Sequence, residues 1–256
     1  MNWEEYLTEI KKWDLVKIEP KGFVVLECVT PVTPKEYLEY ADKDLLLDGA
    51  HGNVNALSNA KRAIDCQITN LLSVLGLSVS GNIHKKIERI KDIGILAPRI
   101  LKKVNKIRNL LEHEFQAPTE EEAENAVDIA MLFIGATEKV FTNFMYSFWV
   151  ARDGSENRAS IYKDGNKTLI IDNGVPDPTF SDGLYIQYDK DSRDYGLWGY
   201  IENEEIFVSV VKRGSPLHVT LLHYSTLNHY SGMENEANLA GIDFVGSVKD
   251  KSGISV

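Results

Sequence analysis

The stretch NALSNAKRAIDCQITNLLSVLGL, residues 55–77, carries a strong helical signal in the first half of the chain. Its apolar residues recur three or four positions apart, and this spacing predicts one buried face along an amphipathic helix. The members of that face are Ala56, Ala60, Ala63, Ile64, Ile68, Leu71, Leu72 and Leu75. Gly76 predicts the end of the helix, because glycine readily adopts the left-handed conformation that commonly follows a helix C-terminus.

The segments on both sides of this helix predict a bundle of four or five helices over residues 33–150, joined by short connections. Thr33 followed by Pro34 is typical of a helix N-terminus. The glycine-rich DGAHGN, residues 48–53, is interpreted as a turn between two helices. The further predicted helices cover residues 82–94, residues from Pro98 to about Phe115, and a segment that Thr119 and Glu122 begin with a capping box.

Residues 151–245 predict a small antiparallel β-sheet or sandwich, because short β-rich runs alternate with Gly, Asn and Asp. The predicted strands are RASIYKD (158–164), KTLIIDN (167–173), GLYIQYDK (183–190), YGLWGYIE (195–202), EIFVSVVKR (205–213) and LHVTLLHYS (217–225). Residues 246–256 are expected to form a flexible tail.

Residues 1–32 predict a short amphipathic helix, WEEYLTEIKKW, followed by a β-hairpin. The two hairpin strands, LVKIEP and KGFVVLECV, meet at Pro20-Lys21-Gly22. Since these strands have no helical partner nearby in sequence, we expect them to join the C-terminal sheet. The fold class is therefore α+β, with an N-terminal helical bundle followed by an antiparallel β-domain.

The composition indicates the cellular environment of the protein. The chain of 256 residues is 43% hydrophobic, yet it has no long apolar run of the kind that spans a membrane. Its charged N-terminus lacks the apolar centre of a secretory signal. Cys28 and Cys66 have neither CxxC spacing nor a neighbouring histidine cluster, so we expect no disulfide, no metal site and no cofactor. A cytoplasmic location without membrane association fits these features.

A basic stretch interrupts an otherwise acidic chain. The net charge is −10, but residues 84–108 contain nine cations against two carboxylates. The cations are Lys85, Lys86, Arg89, Lys91, Arg99, Lys102, Lys103, Lys106 and Arg108. Such a stretch attracts phosphates locally. Two ordinary solvated helix faces would give the same pattern, and charge alone does not separate these interpretations.

The end of the basic stretch, KIRNLLEHEF (106–115), combines an apolar stripe with a polar cluster. At about 100° per residue, Arg108 falls on the flank of the stripe, whereas Asn109 and His113 face away from it. Glu112 lies four positions after Arg108 and can orient it. A held guanidinium stabilises a phosphate and an imidazole transfers a proton near neutral pH. The cluster therefore predicts either a site for metal-free RNA cleavage or a solvated helix face.

This motif, Arg-Asn followed by three residues and His near the end of a helix, resembles the signature of the HEPN domain superfamily. The segment PTEEEAENAVDIAMLFIGATEKVF, which begins at Pro118, is similar to the last helix of such domains. The resemblance covers about residues 34–148 and adds to the basic stretch that leads into the motif. It implies a helical domain that forms a homodimer through the motif-bearing helices, with two copies of the motif in one cleft.

What the resemblance implies chemically is a metal-independent endoribonuclease of a toxin–antitoxin, phage-defence or RNA-processing system. Arg108 and His113 would be its catalytic residues and Asn109 would position the substrate. Glu112 is a possible orienting partner, and Lys102 and Lys106 are possible phosphate contacts. A separately encoded antitoxin or regulatory protein is a further expected partner. The alternative is a non-catalytic HEPN dimer that binds a nucleotide, a nucleic acid or a protein.

Two other groups of residues are weaker candidates. His218, His223 and His229 lack a completing carboxylate, and we interpret them as structural or surface histidines. Aromatic residues of the predicted sheet could stack on single-stranded nucleic acid, but core and cross-strand packing is the commoner role. These residues are Tyr185, Tyr188, Tyr195, Trp198 and Tyr200.

Overall fold

A computed structural model shows a mixed α and β protein of two compact units. The structure describes residues 1–10, 12–13, 16–95, 117–152, 155, 171–172, 175–176 and 180–227. One unit is continuous, Val24–Phe144, and contains helices. The other combines Met1–Phe23 with Met145–Val256 and contains the sheet. Within the described part of the chain, no helix is long and apolar enough to cross a membrane.

The helical unit is organised around one long helix. Its elements are α2 (Pro34–Leu45), α3 (Ala50–Val74), α4 (Ile83–Asp92) and α5 (Glu120–Thr142). The central helix α3 packs against α2, α4 and α5. All eight residues of its predicted apolar face are buried, so the core of this unit is the one that the spacing predicts.

Local signals set most of the helix ends. Thr33 and Thr119 each form a capping box, with Glu36 and Glu122 respectively, which satisfies backbone N–H groups at the start of α2 and α5. Gly76 has φ 68°, and the N–H of the following residue, Leu77, donates to the Leu72 carbonyl over 2.8 Å. This is a Schellman ending, so the prediction from Gly76 is confirmed.

The predicted turn at residues 48–53 is wrong, because α3 already begins at Ala50 and includes Gly52. A Cβ atom on Gly52 would lie 2.7 Å from the Asp44 carbonyl oxygen and closer still to that of Leu47. Glycine therefore serves here to let the end of α2 approach α3. This is a packing role and not a turn-forming one.

The second unit contains a five-stranded sheet with two further helices. The helices are α1 (Trp3–Ile10) and α6 (Pro216–Leu227). The strands are β1 (Val16–Val24), β2 (Phe144–Arg152), β3 (Ile171–Asp172), β4 (Val175–Pro176), β5 (Gly183–Tyr188), β6 (Tyr195–Ile201) and β7 (Glu204–Val211). The sheet order is β1-β2-β5-β6-β7, and β3 pairs separately with β4.

Two predictions about the strands next to the helical unit are wrong. The N-terminal hairpin is one strand, β1, which continues through Pro20; this is possible because an edge strand tolerates a residue without an N–H donor. The bundle was predicted to extend to residue 150, but α5 ends at Thr142 and β2 follows from Phe144. The continuous apolar run of β2 is buried, and such a run does not distinguish a strand from a helix.

The last predicted strand, 217–225, is also wrong, because these residues belong to α6. Ser215 and Pro216 mark its start: the Ser215 hydroxyl accepts the N–H of His218 over 3.2 Å, and proline occupies the first helical position. Ser215 and Pro216 were thus the sequence signal for a helix. The apolar residues after them fit the spacing of a helix as well as that of a strand.

The sheet is packed on both faces. On one face, Trp149 contacts Phe180, Tyr185 and Tyr200, with ring centroids 5.3–5.6 Å apart. On the other face, α6 covers β5 and β6, and the hydroxyls of Tyr195 and Ser225 lie 2.7 Å apart. The aromatic residues therefore form much of the core of this unit.

Candidate functional site

The six candidate site residues lie outside the described residues. They are Lys102, Lys106, Arg108, Asn109, Glu112 and His113, all within the segment 96–116. What the structure defines is the frame of this segment: the end of α4 before it and the start of α5 after it. Both attachments belong to the helical unit.

The described chain before the segment ends at a fixed point after α4. Gly94 has φ 77° and follows the last turn of the helix. The N–H of Ile95 donates to the Ile90 carbonyl over 3.2 Å, which gives α4 the same Schellman ending as α3. Ile93 and Ile95 are both fully buried. The chain therefore enters the segment in a direction that is set by core packing.

The described chain resumes at a second fixed point before α5. The side-chain amide of Asn53, on α3, donates to the carbonyl of Pro118 over 3.1 Å. Pro118 is buried, and the capping box of Thr119 and Glu122 follows it directly. The N-terminal turn of α5 carries three glutamates, whose charge suits the positive end of the helix dipole. Both ends of the motif-bearing segment are thus anchored on the same unit.

Helix α4 carries the described part of the basic stretch, and its cations differ in role. Arg89 donates from its guanidinium to the carbonyls of Ser78 and Ser80, over 2.9 and 2.6 Å, and so braces the loop before the helix. Lys91 forms an exposed pair with Glu88, at 3.4 Å. Lys85 is exposed and Lys86 is half-buried. Arg89 is therefore a structural cation, whereas the two lysines are available for phosphate contacts.

A buried polar network within the helical unit was missed by the sequence analysis. Asn70, on α3, is fully buried, and its Oδ1 accepts the N–H groups of Val29 and Thr30 over 2.8 and 3.1 Å. Its Nδ2 donates to the Thr30 hydroxyl over 2.9 Å, and that hydroxyl lies 3.1 Å from the thiol of Cys66. The network ties residues 29–30 to α3. An asparagine between two apolar positions of a buried face was the signal for it.

The histidines of the second unit occupy the helix α6. His218 is buried, its Nε2 lies 2.8 Å from the Arg193 carbonyl, and its ring meets that of Tyr195 edge-on. Since a carbonyl only accepts, Nε2 carries the proton. Burial lowers the pKa of His218 below its ordinary value, which keeps the ring neutral. His218 and His223 share one helix and not one strand, and His229 lies outside the described residues.

The aromatic residues of the sheet do not form an open stacking platform. Tyr185 and Tyr200 are buried against Trp149, and Tyr188 and Tyr195 lie under α6 near His218. Only Trp198 of this set is half-exposed. Metal-binding groups of three or more His, Cys, Asp or Glu side chains do not occur among the residues described. The described histidines and aromatic residues that the sequence suggested as candidates in the second unit therefore serve mainly in packing.

Comparisons with known proteins add no relative to these observations. The chain matches no model of a protein family, no curated protein and no solved structure at a significant level.

Proposed function

We propose that the protein is a HEPN-like, metal-independent endoribonuclease that acts as a homodimer through its motif-bearing helices. The observation that carries the proposal is the combination of the motif Arg108-Asn109-x-x-x-His113 with its attachment to the helical unit. The motif lies in a segment whose ends, at Ile95 and Pro118, are both fixed on that unit. A catalytic pair needs such a frame, because small displacements of reacting groups cost large factors in rate.

In the proposed reaction, the 2′-hydroxyl of a ribose attacks the adjacent phosphorus. The 2′-oxygen–phosphorus bond forms and the bond from phosphorus to the 5′-oxygen breaks. The products are a 2′,3′-cyclic phosphate and a 5′-hydroxyl. His113 moves the proton as general base or general acid, and Arg108 stabilises the charge that develops on the phosphate. Asn109 positions the substrate, Glu112 orients Arg108, and Lys102 and Lys106 contact flanking phosphates.

The basic residues of α4 support an RNA partner for this chemistry. Lys85 and Lys86 are accessible on the helix that precedes the motif segment, whereas Arg89 is occupied by backbone carbonyls. In a chain of net charge −10, a local basic surface directs an anionic polymer to one region. The setting that we propose is a toxin–antitoxin or phage-defence system, with a separately encoded antitoxin or regulatory protein.

The decisive experiment is cleavage of a labelled single-stranded RNA of mixed sequence in the presence of EDTA. We expect His113→Ala to lower the cleavage rate by a factor of about 10²–10⁴, the usual contribution of a general acid or base. Arg108→Ala should also lower the rate, and a 2′-deoxy substrate should resist cleavage. The matched control is His84→Ala, which removes an exposed histidine of α4. Cleavage that survives His113→Ala unchanged would refute the assignment.

A second candidate function is binding of RNA or a nucleotide without cleavage, and the accessible lysines of α4 favour it. Replacing Lys85 and Lys86 together by glutamate should weaken RNA binding. The magnitude of the slope of the logarithm of the binding constant against the logarithm of the salt concentration should fall by about one per lost phosphate contact. Lys190→Glu, at an exposed position in the other unit, is the control. Binding with no cleavage in the wild-type protein would select this alternative.

A further inference from the structure

The two edges of the five-stranded sheet differ in how they are protected. The edge strand β1 contains Pro20, which cannot donate a hydrogen bond, between the charged residues Glu19 and Lys21. Proline and charge on an edge strand are the devices that prevent pairing with another strand. This edge is therefore closed to further strands.

The opposite edge strand, β7, lacks these devices along its centre. Residues 206–211 read Ile-Phe-Val-Ser-Val-Val and contain neither charge nor proline. In the sheet, β7 pairs with β6, and no described residue pairs with its other side. Val208 and Val210, which lie opposite Trp198 and Gly196 of β6, are 56% and 55% exposed. Among the described residues, the outer side of β7 thus has no strand partner and lies beside an apolar surface, while α1 contacts part of the strand.

We propose that β7 pairs antiparallel with β7 of a second copy of the chain. The charges at the ends of the strand support this occupant. Glu204 and Glu205 begin the strand, and Lys212 and Arg213 follow its last residue. A two-fold axis near Val208 places the acidic end of each copy beside the basic end of the other, whereas parallel pairing would bring like charges together.

The existing contacts leave these charges accessible. Lys212 donates to Asp194 over 2.8 Å, yet its side chain remains 76% exposed, and Glu204 is exposed at the other end. Two-fold pairing joins the two sheets into one sheet of ten strands. The outer edges of that sheet are the two β1 strands, which are protected by Pro20. Strand pairing through the sheet edges therefore stops at two copies.

A cross-link at the axis tests this pairing directly in the full chain. In a Cys28→Ser background, which removes the exposed native thiol, Val208→Cys should form an intermolecular disulfide with oxidised glutathione. Two protein thiols are oxidised, and one glutathione disulfide is reduced to two glutathione thiols. The matched control is Val25→Cys, at a position where the native valine is 64% exposed and lies outside the sheet unit. Rapid cross-linking at position 208 and little at position 25 is the expected result.

Charge substitutions at Val208 provide a second test of the pairing. Val208→Lys and Val208→Glu should each lower the particle mass that sedimentation measures, because like charges would face each other across the axis. Mixing the two variants should restore the wild-type mass, and this recovery also shows that both variants fold. An unchanged mass for both variants, or absence of the cross-link, would overturn the proposal.

The proposal does not depend on the ribonuclease. His113→Ala should leave the cross-link unchanged. A fall in the mass is expected whether or not the helical units also associate, since loss of the β7 contact removes one of the contacts between copies. Failure of RNA cleavage and failure of β7 pairing are thus separate results.

Discussion

Replacement of Asn70 by alanine should destabilise the helical unit, because the side chain of Asn70 forms three hydrogen bonds with Val29 and Thr30 from a fully buried position. A buried hydrogen bond contributes about 0.5–1.5 kcal/mol, and a group left without a partner costs about 1–3 kcal/mol. Val29 is exposed, so water can replace the partner of its N–H. The groups of Thr30 are less accessible. The expected loss in the free energy of unfolding is therefore about 2–4 kcal/mol.

Urea unfolding followed by circular dichroism at 222 nm measures this loss, since the signal is dominated by the helices. The matched control is Asn55→Ala on the same helix, where the only hydrogen bond from the side-chain amide to a described residue joins it to His51. That substitution should change the stability by no more than about 0.5 kcal/mol. Equal stabilities of the two variants would refute the reasoning, because they would show that the network gives no net stabilisation over hydration.

Three further predictions concern other parts of the molecule. Gly52→Ala should lower the free energy of unfolding by about 1–3 kcal/mol, because its new methyl group meets the carbonyl of Leu47. Gly135→Ala, with open space around it, should raise the free energy of unfolding by about 0.4–1 kcal/mol. Thermal unfolding distinguishes the two variants. Thr119→Ala should cost about 1 kcal/mol in the same measurement, through loss of the capping box. Because the pKa of His218 is lowered from 6.5 in the folded state, the unfolded state binds the proton more readily, and stability should fall as the pH drops below about 6.5. Unfolding titrations between pH 7.5 and 5 should show a shallower fall for His218→Gln; identical slopes would contradict the assignment.

The features predicted correctly from sequence are those that short-range chemistry determines. Thr33, Thr119 and Gly76 act on backbone groups within a few residues of themselves, so their effects can be read without knowing the fold. The errors fall where the position of a neighbouring helix or strand determines the structure. Gly52 is a glycine because the end of α2 lies against its position in α3, and Pro20 is tolerated within a strand because that strand is at an edge.

The candidate site also combines local features that the sequence predicts with longer-range contacts that it does not predict. The spacing of Arg108, Asn109 and His113 is a local property, and it remains a prediction because these residues lie outside the described part of the chain. The anchoring of their segment by Asn53 and Ile95 was not predicted. The Asn53 hydrogen bond joins residues that are far apart in sequence, whereas Ile95 is held by a local hydrogen bond to Ile90 and by its burial in the core.

The path of the chain through the sheet has a consequence for the order of folding. Neighbouring strands β1 and β2 are separated in sequence by the whole helical unit, whose own ends meet where the Leu26 N–H donates to the Phe141 carbonyl over 2.7 Å. Once that unit has folded, the loop between the strands shrinks from roughly 120 residues to a few, and the entropy cost of closing it falls by about 3 kcal/mol. We therefore expect the helices to form during synthesis before β1 pairs with β2, so that the sheet is completed last, around a connection that is already folded.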